Sequence, residues 1–281
     1  MTLIKSISGI RGTIGGKAGE NLTPIDIVKF TAAYGQILIS SAGDQPVRVV
    51  IGRDARKSGP MVRNFVANTL TGLGIDVIDL GLSTTPTVEI AVPEEEAHGG
   101  IIITASHNPG QWNALKLLNA SGEFISAEAG KQVIELAESL DINFAGIDEL
   151  GAYSVNESYL LRHIERVVNH PLVDKAAIAA ANFHVAVDAV NSSGGIFIPA
   201  LLEELGVTKV EQLFCTPNGE FPHNPEPLPE HLIELSKTVV ENGCDVGITV
   251  DPDVDRLAFV SENGDVFGEE YTLVAVADYV L

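Results

Sequence analysis

Cysteine is scarce in this chain, basic residues are outnumbered, and long apolar runs are missing. Only Cys215 and Cys244 occur among 281 residues, isolated and without the spacing of a metal site or a disulfide framework. A disulfide-stapled secreted fold is thereby excluded, and a reducing, cytoplasmic setting is expected. No apolar stretch reaches the length of about 18 residues needed to cross a bilayer. Met1 to Gly12 lacks the apolar core of a signal peptide. With 17 basic against 38 acidic residues the net charge is −21, which argues against nucleic acid or an anionic membrane as partner. Any anionic substrate must then meet basic residues concentrated at one place.

What the sequence does have is two polar segments, each placed after an apolar strand-like run. The first is Thr104-Ala105-Ser106-His107-Asn108-Pro109, following Gly99-Gly100-Ile101-Ile102-Ile103. A strand end leading into small and polar residues presents one hydroxyl, that of Ser106, from a rigid support. Pro109 and Gly110 enforce the turn. The second is Asp251-Pro252-Asp253-Val254-Asp255-Arg256, following Val246-Gly247-Ile248-Thr249-Val250. Three carboxylates within five residues repel one another unless a cation sits between them. Hard oxygen ligands suit Mg²⁺, Mn²⁺ or Ca²⁺ and not zinc. Pro252 stiffens the loop where it leaves the strand.

Rival readings of these residues are unequal. Counted from Asp251, Glu262 falls at position 12 of an EF-hand loop, but position 6 is Arg256 where that loop requires glycine, and strand-like runs replace the helices. Asp251 and Asp253 have the spacing of an aspartyl-phosphatase nucleophile and its acid/base partner, although Asp255 departs from that pattern. Ser106 and His107 are adjacent on an extended segment, so they point apart and make no hydrolase dyad by themselves. No G-x-S-x-G elbow is present. A cation-binding domain without turnover is the non-enzymatic alternative.

The chain is long enough for about two domains. In the first part, Val47 to Ile51 reads as a strand, Gly59-Pro60 opens a helix to about Gly72, and Ile75 to Leu80 is a second strand. In the second part, His184 to Val187 is a strand ending at Asp188. Ser192-Ser193-Gly194-Gly195 then opens a helix ending near Leu205-Gly206, and Val207 to Leu213 is a strand. Asp54 matches Asp188, and Leu73-Gly74 matches Leu205-Gly206, so the two parts read as related α/β units. Thr23-Pro24-Ile25-Asp26 is a helix start, with Ile27, Phe30, Tyr34, Ile37 and Leu38 as its core stripe. Residues 128–140 form an amphipathic helix, 141–158 read as a domain boundary, and Pro217 to Pro229 as a long surface loop, with the lining of a cleft as the lesser alternative. Glu269 to Leu281 has helical periodicity.

Together these segments resemble the α-D-phosphohexomutase family, which includes phosphoglucomutase, phosphomannomutase and phosphoglucosamine mutase. Ser8-Gly9-Ile10-Arg11-Gly12 matches the second half of that family's N-terminal signature G-T-D-G-I-R-G, and Gly52-Arg53-Asp54 its G-x-D turn. Thr104 to Pro109 matches the phosphoserine loop, Trp112 to Lys116 the N-G-x-K segment, and Asp251 to Arg256 the D-G-D-x-D-R metal loop. Ala114 and Pro252 stand where the family usually has glycine, so positive φ is expected at neither.

The resemblance implies two similar three-layer α/β domains with mixed sheets and the start of a third. Residues 1–150 would be domain I with the phosphoserine loop, 151–257 domain II with the metal loop, and 258–281 the beginning of a truncated domain III. It implies a mutase that interconverts hexose 6-phosphate and hexose 1-phosphate, with a phosphorylated hexose as partner and a sugar 1,6-bisphosphate as intermediate and activator. Ser106 would carry the phosphoryl group and help bind Mg²⁺ with Asp251, Asp253 and Asp255. Lys116 and Arg11 would serve proton transfer and charge stabilisation, and His107 would contact phosphate or, alternatively, shape the loop. Arg256 and Asn108 would bind phosphate. Arg53 reads as a structural ion-pairing residue. Family members have four domains, so this chain is expected to lack the C-terminal ones and to be inactive or weak alone. The Ser-Gly-Ile-Arg-Gly start and the Asn-Ala-Leu-Lys segment lean towards phosphoglucosamine mutases.

Overall fold

Alternation of buried residues along the apolar strands decides the layering. In a computed structural model describing residues 1–6 and 9–281, β3 (Arg48–Arg53) and β5 (Gly99–Ile103) lie parallel in the middle of a sheet. Val49, Ile51, Ile101 and Ile103 enter one core, and Val50 and Ile102 enter another on the opposite face. A strand buried on both faces needs helices on both sides. The first core is closed by α1 (Pro24–Ala42), α2 (Gly59–Gly72) and α4 (Ala127–Ser139), through Phe30, Val66 and Val133 among others. The second core is closed by α3 (Thr85–Glu94), through Val88, Ala91 and Val92.

The remaining strands of this first unit are β1 (Ile4–Ser6), β2 (Gly9–Thr13), β4 (Asp76–Leu82), β6 (Trp112–Leu118) and β7 (Tyr153–Val155). Among the described residues the order is β1-β2-β6-β5-β3-β4-β7, with β3, β4, β5 and β7 parallel and the β6 side antiparallel. β7 falls in the 141–158 stretch and pairs with β4. Gly99 lets the Tyr34 ring approach the sheet, since a Cβ there would lie 2.1 Å from its hydroxyl. That hydroxyl donates to the Leu118 carbonyl at 2.6 Å.

The second unit repeats the plan with fewer strands. After α5 (Tyr159–Val168) and α6 (Lys175–Ala181) come β8 (His184–Asp188), α7 (Gly194–Glu204) and β9 (Lys209–Leu213). Then follow α8 (Ile233–Asn242), β10 (Val246–Val250), β11 (Leu257–Ser261), β12 (Val266–Phe267) and α9 (Glu269–Val280). The sheet order is β12-β11-β10-β8-β9, parallel on the β8 side and antiparallel beyond β10. α5 and α7 cover one face through Ile164, Phe197 and Leu202, and α8 covers the other through Leu235 and Val239. Each unit is thus a helix–sheet–helix sandwich around a mixed sheet. Among the described residues no helix is long and apolar enough to cross a membrane.

The four residues Ser106–Pro109 group with the second unit, Leu160–Leu281, although the chain on either side of them belongs to the first, Met1–Ala105 and Gly110–Tyr159. Ser8, which opens the N-terminal signature, lies outside the described residues.

Candidate active site

The aspartate loop leaves the buried end of β10 and turns sharply back. Val254 adopts φ 61°, an unusual conformation for a β-branched residue, while neither Pro252 nor Ala114 is among the positive-φ residues. The missing family glycines are therefore accommodated at negative φ, and the left-handed residue of the loop is Val254. The reversal lets the backbone N–H groups of Asp255 and Arg256 both donate to Asp251 Oδ1 at 3.1 Å. Ser192 Oγ, just before α7, donates to the Pro252 carbonyl at 2.7 Å and ties the loop down.

This geometry converges three carboxylates. One oxygen from each of Asp251, Asp253 and Asp255 lies within 4.8 Å of the others. Asp251 and Asp253 are completely buried and Asp255 is exposed, so the cluster opens to solvent on one side. Burial, reinforced by the charges of Asp253 and Asp255, holds the Asp251 carboxyl well above the usual carboxylate range, against the opposing hydrogen bond from Ser106. Buried like charges of this kind fit a hard divalent cation, which would relieve both costs at once.

Ser106 Oγ donates to Asp251 Oδ2 at 2.8 Å and lies 3.3 Å from Asp255 Oδ1. Its backbone φ is 48°, in the left-handed region, a conformation that costs about 1–3 kcal/mol where the surroundings impose it. His107 Nδ1 lies 3.3 Å from Ser106 Oγ, so the two side chains approach and do not point apart as an extended segment would require; the left-handed backbone of Ser106 turns them together. Burial and the Arg256 charge lower the His107 pKa, which favours its neutral form. Asn108 lies in the same turn.

Sequence reasoning missed Glu226. Arg256 Nη1 donates to Glu226 Oε1 at 3.1 Å, and His107 Nε2 is 4.0 Å from the same oxygen. The proline-rich segment thus supplies a carboxylate to the site and is more than a surface loop. No local spacing signals this, because Glu226 and Arg256 are 30 residues apart.

Also missed was Arg56, which pairs with Asp54 of the G-x-D turn to hold the stems of the serine turn. Asp54 and Arg56 are fully buried and joined at 2.9 Å between Oδ2 and Nε. Thr104 Oγ1 donates to Asp54 Oδ2 at 2.7 Å, and Arg56 Nη1 donates to the Trp112 carbonyl at 3.1 Å. One buried ion pair therefore grips the chain shortly before and after Ser106. Arg53 Nη1 donates to the Asp54 backbone carbonyl at 3.1 Å, a hydrogen bond and not the ion pair expected of it.

Arg11 and Lys116 belong to the first unit, on the neighbouring strands β2 and β6. Arg11 lies opposite Ala114, two residues before Lys116, so both share the sheet face opposite to Ile10 and Leu115. Arg11 Nε is buried without a hydrogen-bond partner among the described residues. Lys116 Nζ lies 5.8 Å from the centre of the Phe124 ring.

Comparison with known proteins gives one answer along the chain. The family model for phosphoglucomutase/phosphomannomutase, alpha/beta/alpha domain I, matches residues 3–143, and that for domain II matches residues 161–264. A phosphoglucomutase/phosphomannomutase of Thermococcus kodakarensis is 38% identical over 273 residues, covering 96% of this chain and 59% of the relative. A probable phosphoglucosamine mutase of Methanopyrus kandleri is 34% identical, covering 98% of this chain and 57% of the relative. Among solved structures, a putative phosphomannomutase from Thermus thermophilus superposes with a TM-score of 0.85 at 26% identity, over 100% of this chain and 62% of that one. The chain thus spans somewhat less than three fifths of the length of these two curated relatives. On the two domain matches and these identities, the chain belongs to the phosphoglucomutase/phosphomannomutase family, the α-D-phosphohexomutases.

Proposed function

We propose that this chain carries the phosphoserine and metal-loop part of a phosphosugar mutase that interconverts hexose 6-phosphate and hexose 1-phosphate through a sugar 1,6-bisphosphate. The observation that carries this reading is the hydroxyl of Ser106 held 2.8 Å from Asp251 and 3.3 Å from Asp255, inside a triad of converging carboxylates. The nearer partner of the Ser106 hydroxyl is Asp251 at 2.8 Å and not His107 at 3.3 Å, and a hydroxyl facing acids suited to a cation is what a phosphoryl carrier requires.

Asp251, Asp253 and Asp255, with an oxygen on Ser106, would hold Mg²⁺. When bound, the ion supplies neutralisation of the charge on the phosphoryl oxygens. Ser106 in its phosphorylated form gives the phosphoryl group to a free sugar hydroxyl: the bond from phosphorus to Oγ breaks, and a bond from phosphorus to the sugar oxygen forms. The hydroxyl proton leaves to a base, the role assigned to Lys116. A lysine accepts a proton only in its neutral form, which nearby positive charge favours, and Arg11 is the residue placed on the adjacent strand to supply it. The bisphosphate reorients and returns its other phosphoryl group to Ser106. Arg256, Asn108 and His107 bind and orient phosphate oxygens during both transfers.

The test is incubation of the chain with a hexose 1,6-bisphosphate labelled in its phosphates, followed by intact mass and peptide mapping. Label on Ser106 that disappears in Ser106→Ala is the expected result. Label that survives Ser106→Ala but is lost in Asp251→Asn would mean an aspartyl phosphatase instead. Divalent-cation binding with no label, both in this chain and in a protein spanning the full length of the relatives, would mean a cation-binding domain without turnover. A panel of glucose, mannose and glucosamine phosphates, assayed with a protein spanning the full length of the relatives and a bisphosphate activator, identifies the hexose.

A further inference from the structure

The segment after β9 is held at its two ends by ordinary loop bonds. Near its start, Gly219 N–H donates to the Asn191 carbonyl at 3.0 Å, and Asn191 Nδ2 donates to the Glu220 carbonyl at 2.9 Å. Near its end, Glu226 N–H donates to Asn224 Oδ1 at 3.2 Å, and the Glu226 carbonyl lies 2.8 Å from His231 Nδ1. Between these ends the side chain of His223 fastens the loop to the sheet.

The contacts of His223 determine its proton count. Nε2 lies 2.9 Å from Oδ2 of Asp188, the last residue of β8, and Nδ1 lies 2.8 Å from the backbone carbonyl of Asn224. A carbonyl and a carboxylate are both acceptors, and a neutral imidazole has only one N–H to give. Both contacts are hydrogen bonds only when both ring nitrogens are protonated. Moving the proton onto Asp188 would work against the ordinary order of basicity, in which imidazole exceeds a carboxylate by roughly 2.5 pKa units. Asp188 is only 1% exposed, and its other oxygen accepts the Val190 N–H at 3.0 Å.

We propose that His223 is held as an imidazolium by Asp188 and the Asn224 carbonyl, and acts as a positioning residue that fixes the loop so that Glu226 meets Arg256 beside the aspartate triad. The functional half of this inference rests on the mutase reading, in which Arg256 orients phosphate; the structural half does not. The groups facing His223 are consistent with it. Asp188 approaches from β8, the Asn224 carbonyl from its own loop, and the Phe214 ring, just after β9, makes a T-shaped pair with the imidazole at 5.8 Å between centroids. Cys215, beside Asp188, stays a neutral thiol because burial pushes it up to about 12. Burial works against the charged imidazole, but the hydrogen bond and charge of Asp188 outweigh it, so the His223 pKa is raised. A raised folded value means that the anchor is complete below the ordinary histidine pKa and is lost as pH rises through the raised one.

The test uses the 281-residue chain. Nitrogen-15 spectra of the imidazole should show both ring nitrogens protonated at a pH near 7 and a titration above the ordinary histidine value. Across that titration, hydrogen-exchange protection of residues 217–229, corrected for intrinsic rates, should fall about tenfold or more, while α4 in the first unit stays unchanged. In His223→Gln the loop should be weakly protected at every pH, and labelling of Ser106 by hexose bisphosphate should slow by about tenfold. A singly protonated ring at neutral pH, an unshifted or lowered titration, or loop protection indifferent to pH would overturn the proposal, and the first two need no variant. Equal labelling rates in His223→Gln and the parent would overturn the positioning role. Unlabelled Ser106 beside an intact imidazolium would count against the mutase reading alone.

Discussion

Asp251 stands under two opposed demands. One of its oxygens accepts two backbone N–H groups and the other accepts the Ser106 hydroxyl, yet the residue is fully buried beside two further carboxylates. Without a cation the repulsion and the lost hydration are uncompensated. Asp251→Asn keeps an oxygen for the backbone donors and removes the charge. It should therefore stabilise the cation-free chain by about 1 kcal/mol or more in urea unfolding, while weakening Mg²⁺ binding by at least about tenfold in titration calorimetry. A variant less stable than its parent would show that the carboxylate is compensated by protein groups. The convergence of Asp251, Asp253 and Asp255 was legible in the sequence because alternate carboxylates in one turning loop come together locally. Glu226 and Arg56 were not, since each acquires its role from a partner that only folding brings near. Arg56 is the instructive case: a basic residue in an acidic chain reads as surface, but its guanidinium is fully buried against Asp54.

At the scale of the element, the helix starting at Gly59-Pro60 and ending at Gly72 coincides with α2, and the 128–140 helix is α4 within one residue at each end. Proline at the first turn and an amphipathic stripe are signals written in the segment itself. α5 and α6 were not read from the sequence, although α5 is amphipathic and Asp174 and Asn182 cap the two ends of α6; they pack against the second sheet through Ile164 and Ile178. The N-terminal turn of α7 depends on having no side chain. A Cβ on Gly195 would lie 2.2 Å from the Cys215 carbonyl oxygen, which belongs to backbone and cannot swing away. Gly195→Ala should destabilise the second unit by about 2 kcal/mol or more, read as a fall in its urea midpoint at unchanged slope. α5 also carries a pH response. His163 packs on Phe197 with ring centroids 4.7 Å apart, and burial, helped by the Arg166 charge, lowers its pKa to about 4. The folded state thus binds this proton less readily than the unfolded chain. Stability should be complete above the ordinary value near 6.5 and lost as pH falls from there to about 4, by up to about 3 kcal/mol. Thermal unfolding of the parent minus His163→Gln should isolate that slope. Parallel curves through the window would mean that the imidazole is charged in the fold.

For the whole molecule the acidic excess sets the terms. A net charge of −21 is self-repelling, and the aspartate loop adds two fully buried carboxylates side by side. A divalent cation that binds only the folded triad should stabilise the chain by RT ln(1 + [L]/Kd), about 2.7 kcal/mol at one hundred times Kd. The gain should appear as slower hydrogen exchange in β10 and α7, and should vanish in Asp253→Asn. A gain of equal size in that variant would point to general screening of surface charge. Composition alone excluded a disulfide framework and argued against nucleic acid, and two short motifs led to the family. Periodicity led to single strands and helices and to two related α/β units, because which residues are apolar, and at what spacing, is a property of the chain before it folds; the three-layer plan came from the family resemblance. The tertiary structure alone decided the rest. It placed Ser106 with the second unit, put the left-handed residue of the aspartate loop at Val254 where the family's glycine position is Pro252, and set Glu226 against Arg256 and His223 against Asp188. These are pairings between residues 30 or more positions apart. No local pattern encodes them, since a polar side chain finds its partner only after the strands and helices that carry the two have packed.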